Sequence, residues 1–311
     1  MQSKPDVSIV IVNWNTRQYL LDCIASLLEN TERASIEIIV VDNASSDGSQ
    51  DALLEVYPKV RLIQNTENLG FAKANNIGFA AARGAAYCLV NTDVIALDGV
   101  IDRLWDYLVT HPGVGMVGPR TIDRDLKTRR NCRRFPTIGN ACGDYLWLRR
   151  LPLLRLEGRA LGIETYADTH HAEVLSGCFM MVRREAVEEV GLLDEGFFFY
   201  GEDTDWCKRF SDKGWDRIYH PAAKAIHFGG GSSAAYPVRY YLTMEKADLR
   251  YWKKHHPPRH VALYMVIKLI HHVVSVAGWG ALWLGRQPGA SLKVRGHAIN
   301  TIWLMTGRSL A

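Results

Sequence analysis

Residues 7–15 read Val-Ser-Ile-Val-Ile-Val-Asn-Trp-Asn. A β-branched run with little apolar/polar alternation is the pattern of a strand buried on both faces, and Asn13-Trp14-Asn15 closes it. The pattern recurs: Ile36 to Val41 stops at Asp42-Asn43-Ala44-Ser45-Ser46-Asp47-Gly48, and Tyr87 to Val90 stops at Asn91-Thr92-Asp93. Val60 to Gln64 is a further strand. Between them, Arg17 to Glu29 sets Tyr19, Leu20, Cys23, Ile24, Leu27 and Leu28 at helical spacing, Ser49 opens a second helix, and an Ala-rich helix begins at Gly70 and runs to about Arg83. Strand–helix alternation predicts an α/β fold, Rossmann-like, with a mainly parallel sheet covered by helices on both faces. Ligands of such sheets bind beyond the carboxyl ends of the strands. The polar strand endings (Asn13/Asn15, Asp42/Asn43, Asn91/Asp93) are therefore expected to converge on one crevice.

Composition supports a large folded domain. With 311 residues, 48% of them apolar and 23% charged, the chain is neither a disulfide miniprotein nor mainly disordered. The net charge of +4 conceals alternating blocks. Residues 1–119 and 161–245 each carry 8 Lys/Arg against 14 Asp/Glu, whereas 120–160 carry 11 against 4 and 246–311 carry 10 against 1. Such asymmetry points to anionic partners for the basic blocks. The six cysteines form no Cys-x-x-Cys pair and are expected as buried free thiols. No charged leader precedes the first apolar run, which predicts no cleaved signal peptide and cytoplasmic residence.

The second half is less regular. It predicts a strand over about Glu173 to Arg183, a helix from Arg184, a helix from the acidic Gly201-Glu202-Asp203-Thr204-Asp205 through Phe210, and a short strand from Gly214 to His220. His227 precedes the run Gly229-Gly230-Gly231-Ser232-Ser233. Val261 to Gly285 is apolar except for Lys268, His271, His272 and Ser275, which fall on one helical stripe. Burying a lysine mid-bilayer costs about 2.5–3.5 kcal/mol, so the expectation is an amphipathic helix lying in a membrane interface with that stripe in water. A core- or oligomer-packing helix and a true span are the alternatives.

Seven motifs, in order, carry a resemblance: Val7–Asn15, Ile38–Ser49, Asn68-Leu-Gly-Phe-Ala-Lys73-Ala-Asn-Asn76, Leu89-Val-Asn-Thr-Asp93, Ser176-Gly-Cys-Phe-Met-Met-Val-Arg183-Arg, Phe199-Tyr-Gly-Glu-Asp203-Thr-Asp205 and His227. Over about 5–235 the chain resembles the inverting family 2 glycosyltransferases, most closely their bacterial rhamnosyltransferase-like branch. The resemblance implies a GT-A fold and a nucleotide-diphosphate-sugar donor, with Val12, Asn13, Asn15, Asp42, Asn43, Lys73, Asn91, Thr92 and Asp93 in the donor site. Asp42 matches the family's base-binding carboxylate, which accepts from the N3–H of uracil or thymine. Asp93 matches the last position of the Asp-x-Asp metal motif, although Asn91 replaces its first carboxylate. His227 matches a histidine that ligates the metal in some relatives, so Asp93 and His227 are the expected ligands of Mn²⁺ or Mg²⁺. Asp203 is the expected catalytic base, supported on the acceptor side by Glu202, Asp205, Trp206 and Gly177. Arg83 is a further candidate for diphosphate contact.

The basic insertion carries Arg129, Arg130, Arg133 and Arg134, suited to an acceptor diphosphate, and Trp147, Leu148, Leu151 and Leu153, suited to a headgroup region. The expected division is a catalytic domain over 1–245 (donor half 1–119, basic insertion 120–172, acceptor and base half 173–245) and a basic amphipathic helical extension over 246–311. The expected reaction is metal-dependent, inverting transfer of one sugar, rhamnose by preference, from a dTDP- or UDP-sugar to a cell-envelope glycan on a polyprenyl diphosphate. It would take place peripherally, on the anionic inner face of the cell membrane. No nucleic-acid module is recognisable. A homo-oligomer, a nucleotidyltransferase and an inactive membrane-bound scaffold are the readings left open.

Overall fold

A computed structural model describes residues 4–229 and 237–308; Gly230, Gly231, Ser232 and Ser233 of the glycine–serine run lie outside the described residues. The first half alternates as its pattern predicts: β1 (Val7–Asn13), α1 (Arg17–Glu29), β2 (Ile36–Asp42), α2 (Ser49–Val56), β3 (Arg61–Gln64), α3 (Phe71–Ala81) and β4 (Ala86–Asn91). Then come β5 (Val94–Leu97), α4 (Val100–Thr110), β6 (Val114–Ile122), β7 (Cys132–Arg133) and α5 (Ile138–Tyr145). The chain continues through β8 (His170–His171), β9 (Val174–Leu175), β10 (Phe179–Arg183), α6 (Arg184–Val190), α7 (Glu202–Asp212) and β11 (Asp216–His227). It ends in α8 (Pro237–His255), α9 (Pro258–Leu284) and α10 (Ala290–Thr306).

One nine-stranded sheet has the order β3-β2-β1-β4-β10-β6-β11-β5, with β8 also on β11. β1, β2, β3 and β4 are mutually parallel, as are β6 and β11. β10 is antiparallel to both β4 and β6, and β5 is antiparallel to β11. The sheet is therefore mixed. Val7, Ile9 and Ile11 join Leu20, Ile24, Leu104 and Leu108 in a fully buried core on the α1/α4 face. Val10 points the other way onto α3, where any side chain at Gly78 would collide with it. Both faces are covered, which is why the strands lack alternation. The expected strand over 173–183 is broken at Ser176-Gly177-Cys178, and the short strand from 214 continues to His227.

The chain forms two compact units. The first comprises 1–134, 160–198 and 202–232; the second comprises 135–159, 199–201 and 233–311. The catalytic-domain boundary expected at 245 thus falls inside α8, and part of the basic insertion belongs with the C-terminal helices.

In the second unit, α9 is the one described helix long and apolar enough to cross a bilayer. Its polar stripe is not wet. Lys268, His272 and Ser275 are buried, while Leu263, Val266, Ile270, Val273 and Val274 on the opposite side are about half exposed. The expectation of a solvated stripe is corrected by its partners: Lys268 Nζ lies 2.8 Å from Glu245 Oε2 on α8, and His271 Nδ1 lies 2.8 Å from the carbonyl of Tyr145 on α5. Packing satisfies the polar groups internally and leaves the apolar face outward.

Candidate active site

The ends of β1 and β2 build one wall of the crevice. Asp42 is buried. Its Oδ2 accepts from Asn13 Nδ2 at 2.7 Å, and its Oδ1 accepts from the Ser45 amide at 2.9 Å and Gln50 Nε2 at 2.7 Å. A carboxylate offers about four acceptor positions, so one remains on Oδ2 for a ligand N–H. Asn13 is fully buried, its Oδ1 accepting from the Thr16 hydroxyl, which also meets Thr92 Oγ1 at 2.9 Å. Asn15 adopts a left-handed conformation (φ 53°) and its Oδ1 accepts from the Ser46 amide. Asn43 ties β2 to the loop before α3 by donating to the Gly70 carbonyl at 3.1 Å. Gly70 must be glycine: its φ is +83°, and a Cβ there would lie 2.4 Å from the Phe198 carbonyl oxygen. Asn13 and Asn43 therefore shape the crevice around Asp42. Val12 and Asn91 are half-buried at the strand ends, and Lys73 is exposed on α3.

The second pole forms because β5 turns back beside β11. Register pairs His227 with Val94, which sets the imidazole next to Asp93. His227 Nε2 lies 3.3 Å from Asp93 Oδ1, and both side chains are largely buried. Burial alone would lower the His227 pKa, but Cys178 and Asp93 outweigh it and raise it to about 10. Arg129 Nη1 donates to the His227 carbonyl at 2.9 Å. A carboxylate oxygen beside an imidazole nitrogen suits Mn²⁺ or Mg²⁺, with the nitrogen favouring Mn²⁺. The proton-bearing His227–Asp93 pair is complete below about pH 6.5 and is lost as pH rises through about 10. A metal ion must displace that proton. Mn²⁺ affinity, measured by titration calorimetry, is therefore expected to rise up to about tenfold per pH unit for as long as the pH stays below about 10. His227→Gln should flatten this dependence; an equal slope in the variant would show that another group supplies the proton.

The third group sits at the start of α7. Asp203 Oδ2 accepts from Arg133 Nη2 at 2.7 Å and from the Gly177 amide at 3.4 Å, while Oδ1 accepts from the Thr204 amide at 2.6 Å. Arg133 arrives on β7, which pairs with β9, the strand that leads into Gly177. Glu202 is buried, and its Oε2 has no hydrogen-bond partner among the described residues. Burial and then the Asp203 charge push its pKa up to about 8. At neutral pH Glu202 is thus mainly protonated. The Glu202 contribution to stability is complete below about pH 4.5 and is lost as pH rises through about 8. Glu202→Gln should therefore raise the thermal midpoint at pH 9, by on the order of 1–3 kcal/mol of stability, and leave it nearly unchanged at pH 5. A parallel shift at both pH values would contradict the buried neutral acid.

Gly177 and Cys178 link the poles. The Gly177 amide touches the Asp203 carboxylate, the Cys178 thiol helps raise the His227 pKa, and the Cys178 carbonyl accepts from the Asn91 amide at 2.9 Å. Other expected site residues lie elsewhere. The Asp205 side chain is fully buried on Arg209, which also holds the carbonyls of Val190, Gly191 and Leu192. Trp206 has no exposed surface: its Nε1 donates to the Gly191 carbonyl and its ring packs on Phe79 and Phe210. A ring so enclosed cannot stack on a sugar. Arg83 pairs with Glu37 near the amino ends of β1 and β2, away from the crevice. Conversely, Thr16 and Gln50 enter the site network unannounced, since a lone Thr or Gln carries no sequence signal, while Ser45 and Cys178 enter it from motifs that gave them no role of their own. Of the four insertion arginines, Arg133 reaches Asp203 and Arg129 reaches the His227 backbone.

The family model "Glycosyl transferase family 2" matches residues 8–191. A Mycobacterium tuberculosis N-acetylglucosaminyl-diphospho-decaprenol L-rhamnosyltransferase is 29% identical over 77% of this chain and 81% of its own. The dTDP-rhamnosyl transferase RfbF of Shigella flexneri is 27% identical over 88% of each chain. Among solved structures, the mannosyltransferase PcManGT of Pyrobaculum calidifontis, in complex with GDP-Man and Mn²⁺, aligns over 97% of this chain and 88% of its own. Its TM-score is 0.59 at 16% identity, a likeness of GT-A fold.

Proposed function

Because the chain belongs to glycosyl transferase family 2, we propose that it moves one sugar, rhamnose by preference, from a dTDP- or UDP-sugar to a hydroxyl of a polyprenyl-diphosphate-linked glycan, with inversion. The observation that carries the mechanism is the pair of consecutive residues Gly177 and Cys178: the first donates to Asp203 and the second acts electrostatically on His227. That neighbourhood sets a base beside the place where a sugar diphosphate would leave. Asp42, with one acceptor position open, takes the N3–H of a uracil or thymine ring. Asp203, held in place by Arg133, removes the acceptor hydroxyl proton. The oxygen then attacks the anomeric carbon from the face opposite the diphosphate, whose C–O bond breaks to release the nucleoside diphosphate. Asp93 and His227 are the residues that would hold a divalent cation, whose charge neutralises the leaving diphosphate.

The rhamnosyl preference draws on the two rhamnosyltransferase relatives, and the lipid diphosphate acceptor on the decaprenol-linked substrate in one of their names. Incubation with dTDP-rhamnose or UDP-sugars, Mn²⁺ and a lipid-linked diphosphate glycan tests this. Nucleoside diphosphate release with anomeric inversion in the product is expected. Turnover with GDP-sugars alone, or none, would overturn the donor assignment.

The same proposal places the protein peripherally on the anionic inner face of the cell membrane. The half-exposed apolar side of α9 supports this, as do Leu151, Leu153 and Leu154 in an Arg-rich stretch, with exposures of 52%, 93% and 46%. Flotation with anionic vesicles should succeed for the wild type and fail for the double substitution Ile270→Glu, Val273→Glu. Equal flotation of both would contradict it.

A further inference from the structure

The second unit contains a polar cluster that glycosyl transfer does not use. His271 and His272 on α9 and His297 on α10 each present one ring nitrogen within 4.8 Å of the others. His272 and His297 are 3% and 9% exposed. We propose that these three histidines form a zinc-type metal site that clasps α9 to α10, separate from the Asp93–His227 pole and independent of the glycosyltransferase reading.

The outer partners of the rings favour ligation. His271 Nδ1 lies 2.8 Å from the Tyr145 carbonyl, which can only accept, so the ring's proton sits there and Nε2 keeps a lone pair. His272 Nε2 lies 3.0 Å from Glu245 Oε2, which places its proton on that side and leaves Nδ1 open. A carbonyl behind one imidazole and a carboxylate behind another is how metal-binding histidines are fixed in tautomer and orientation. His272 Nδ1 and His297 Nδ1 face each other at 2.9 Å. One of them must carry a hydrogen when no ion is present. Moving the His297 proton to its Nε2 frees both nitrogens for an ion.

Size and charge agree. Zinc–nitrogen bonds of 2.0–2.1 Å in tetrahedral array separate the nitrogens by about 3.3–3.4 Å. The present separations, from 2.9 Å to under 4.8 Å, bracket that value. Lys268 Nζ, 2.8 Å from Glu245 Oε2, offsets the carboxylate, so the ion would meet three neutral imidazoles and an open fourth position for water. Glu245 is 3% exposed and held between Lys268 Nζ and His272 Nε2, so the carboxylate that orients the His272 ring is itself fixed. Borderline ions such as Zn²⁺ match an all-imidazole set better than Mg²⁺ or Mn²⁺ do.

The test uses the full-length protein stripped with chelator and titrated with Co²⁺, then Zn²⁺. One equivalent of Co²⁺ should give an intense visible d–d band, the mark of a tetrahedral nitrogen-rich site, and one equivalent of Zn²⁺ should bleach it. His297→Gln should abolish the band and the rise in thermal midpoint with Zn²⁺; Asp93→Asn should keep both. Glu245→Gln should weaken metal affinity about 10–100-fold. Absence of the band, its survival in His297→Gln, or its loss in Asp93→Asn would overturn the site. Should circular dichroism show that His297→Gln does not fold, Glu245→Gln decides, and unchanged affinity there overturns the proposal.

Discussion

Asp203→Asn is expected to keep nucleotide affinity and lose about 10²–10⁴-fold in kcat, the range that a positioned general base contributes. The geometry makes this a loss of chemistry. Asp203 is bonded on both oxygens, to Arg133 and Gly177 on one and to Thr204 on the other, so its orientation is set before substrate arrives. An amide of the same shape can still accept from the Thr204 amide at the helix start, but it cannot take a proton. The protonated neighbour Glu202 is a poor substitute near pH 7 because its own pKa is pushed up to about 8. Single-turnover rates with dTDP-rhamnose, alongside thermal shift by dTDP and Mn²⁺, separate the two effects. A variant with wild-type kcat would remove Asp203 from the base role, and one that loses nucleotide binding would recast it as a structural anchor.

The donor half was legible because β1 and β2 are nearly continuous β-branched runs ended by polar residues, and α1 begins and ends where its apolar spacing does. Legibility failed after Asp93. Val94–Leu97 is four residues long and reads as a continuation of β4, so nothing local announces a strand that turns back to pair with β11. That pairing brings His227 to Asp93. The motif order names the two residues; only the long-range register explains why they meet. Arg133 illustrates the same point. As one of several insertion arginines it suggests a loose anionic contact, while β7–β9 pairing delivers it to Asp203.

On α9 the sequence pattern sets the period of the polar stripe, and tertiary packing decides that the stripe is buried. A 3.6-residue pattern groups Lys268, His271, His272 and Ser275 on one face but does not say what that face meets. Lone polar residues in an apolar helix look costly to bury until Glu245, on a different helix, supplies the counter-charge. The sequence distance to Glu245 hides that compensation. Asp205 is similar. Three acids at a helix start look like a solvent-facing cluster, yet helical geometry turns Asp205 inward onto Arg209, four residues on, while Glu202 and Asp203 remain beside the crevice.

Trp206→Ala separates the expected acceptor-side role from a structural one, and its largest effect is expected on stability. Trp206 is fully buried, its ring 5.9 Å from Phe79 and 5.4 Å from Phe210, and its Nε1 holds the Gly191 carbonyl at 2.9 Å. Truncating a buried tryptophan costs about 3–5 kcal/mol through lost transfer energy and the cavity left behind. For a unit of this size that corresponds to a fall in thermal midpoint of roughly 6–20 °C. Because α7 also carries Glu202 and Asp203, a loosened α7 should lower kcat as temperature approaches the new midpoint. At low temperature, donor KM should stay near the wild-type value. Trp206→Phe fills most of the volume and forfeits one hydrogen bond, a loss of about 1 kcal/mol, while Arg209 Nη1 still reaches the Gly191 carbonyl. It should therefore retain activity. An unchanged midpoint combined with a raised donor KM in Trp206→Ala would return the ring to the sugar site and require α7 to rotate from the position it occupies here.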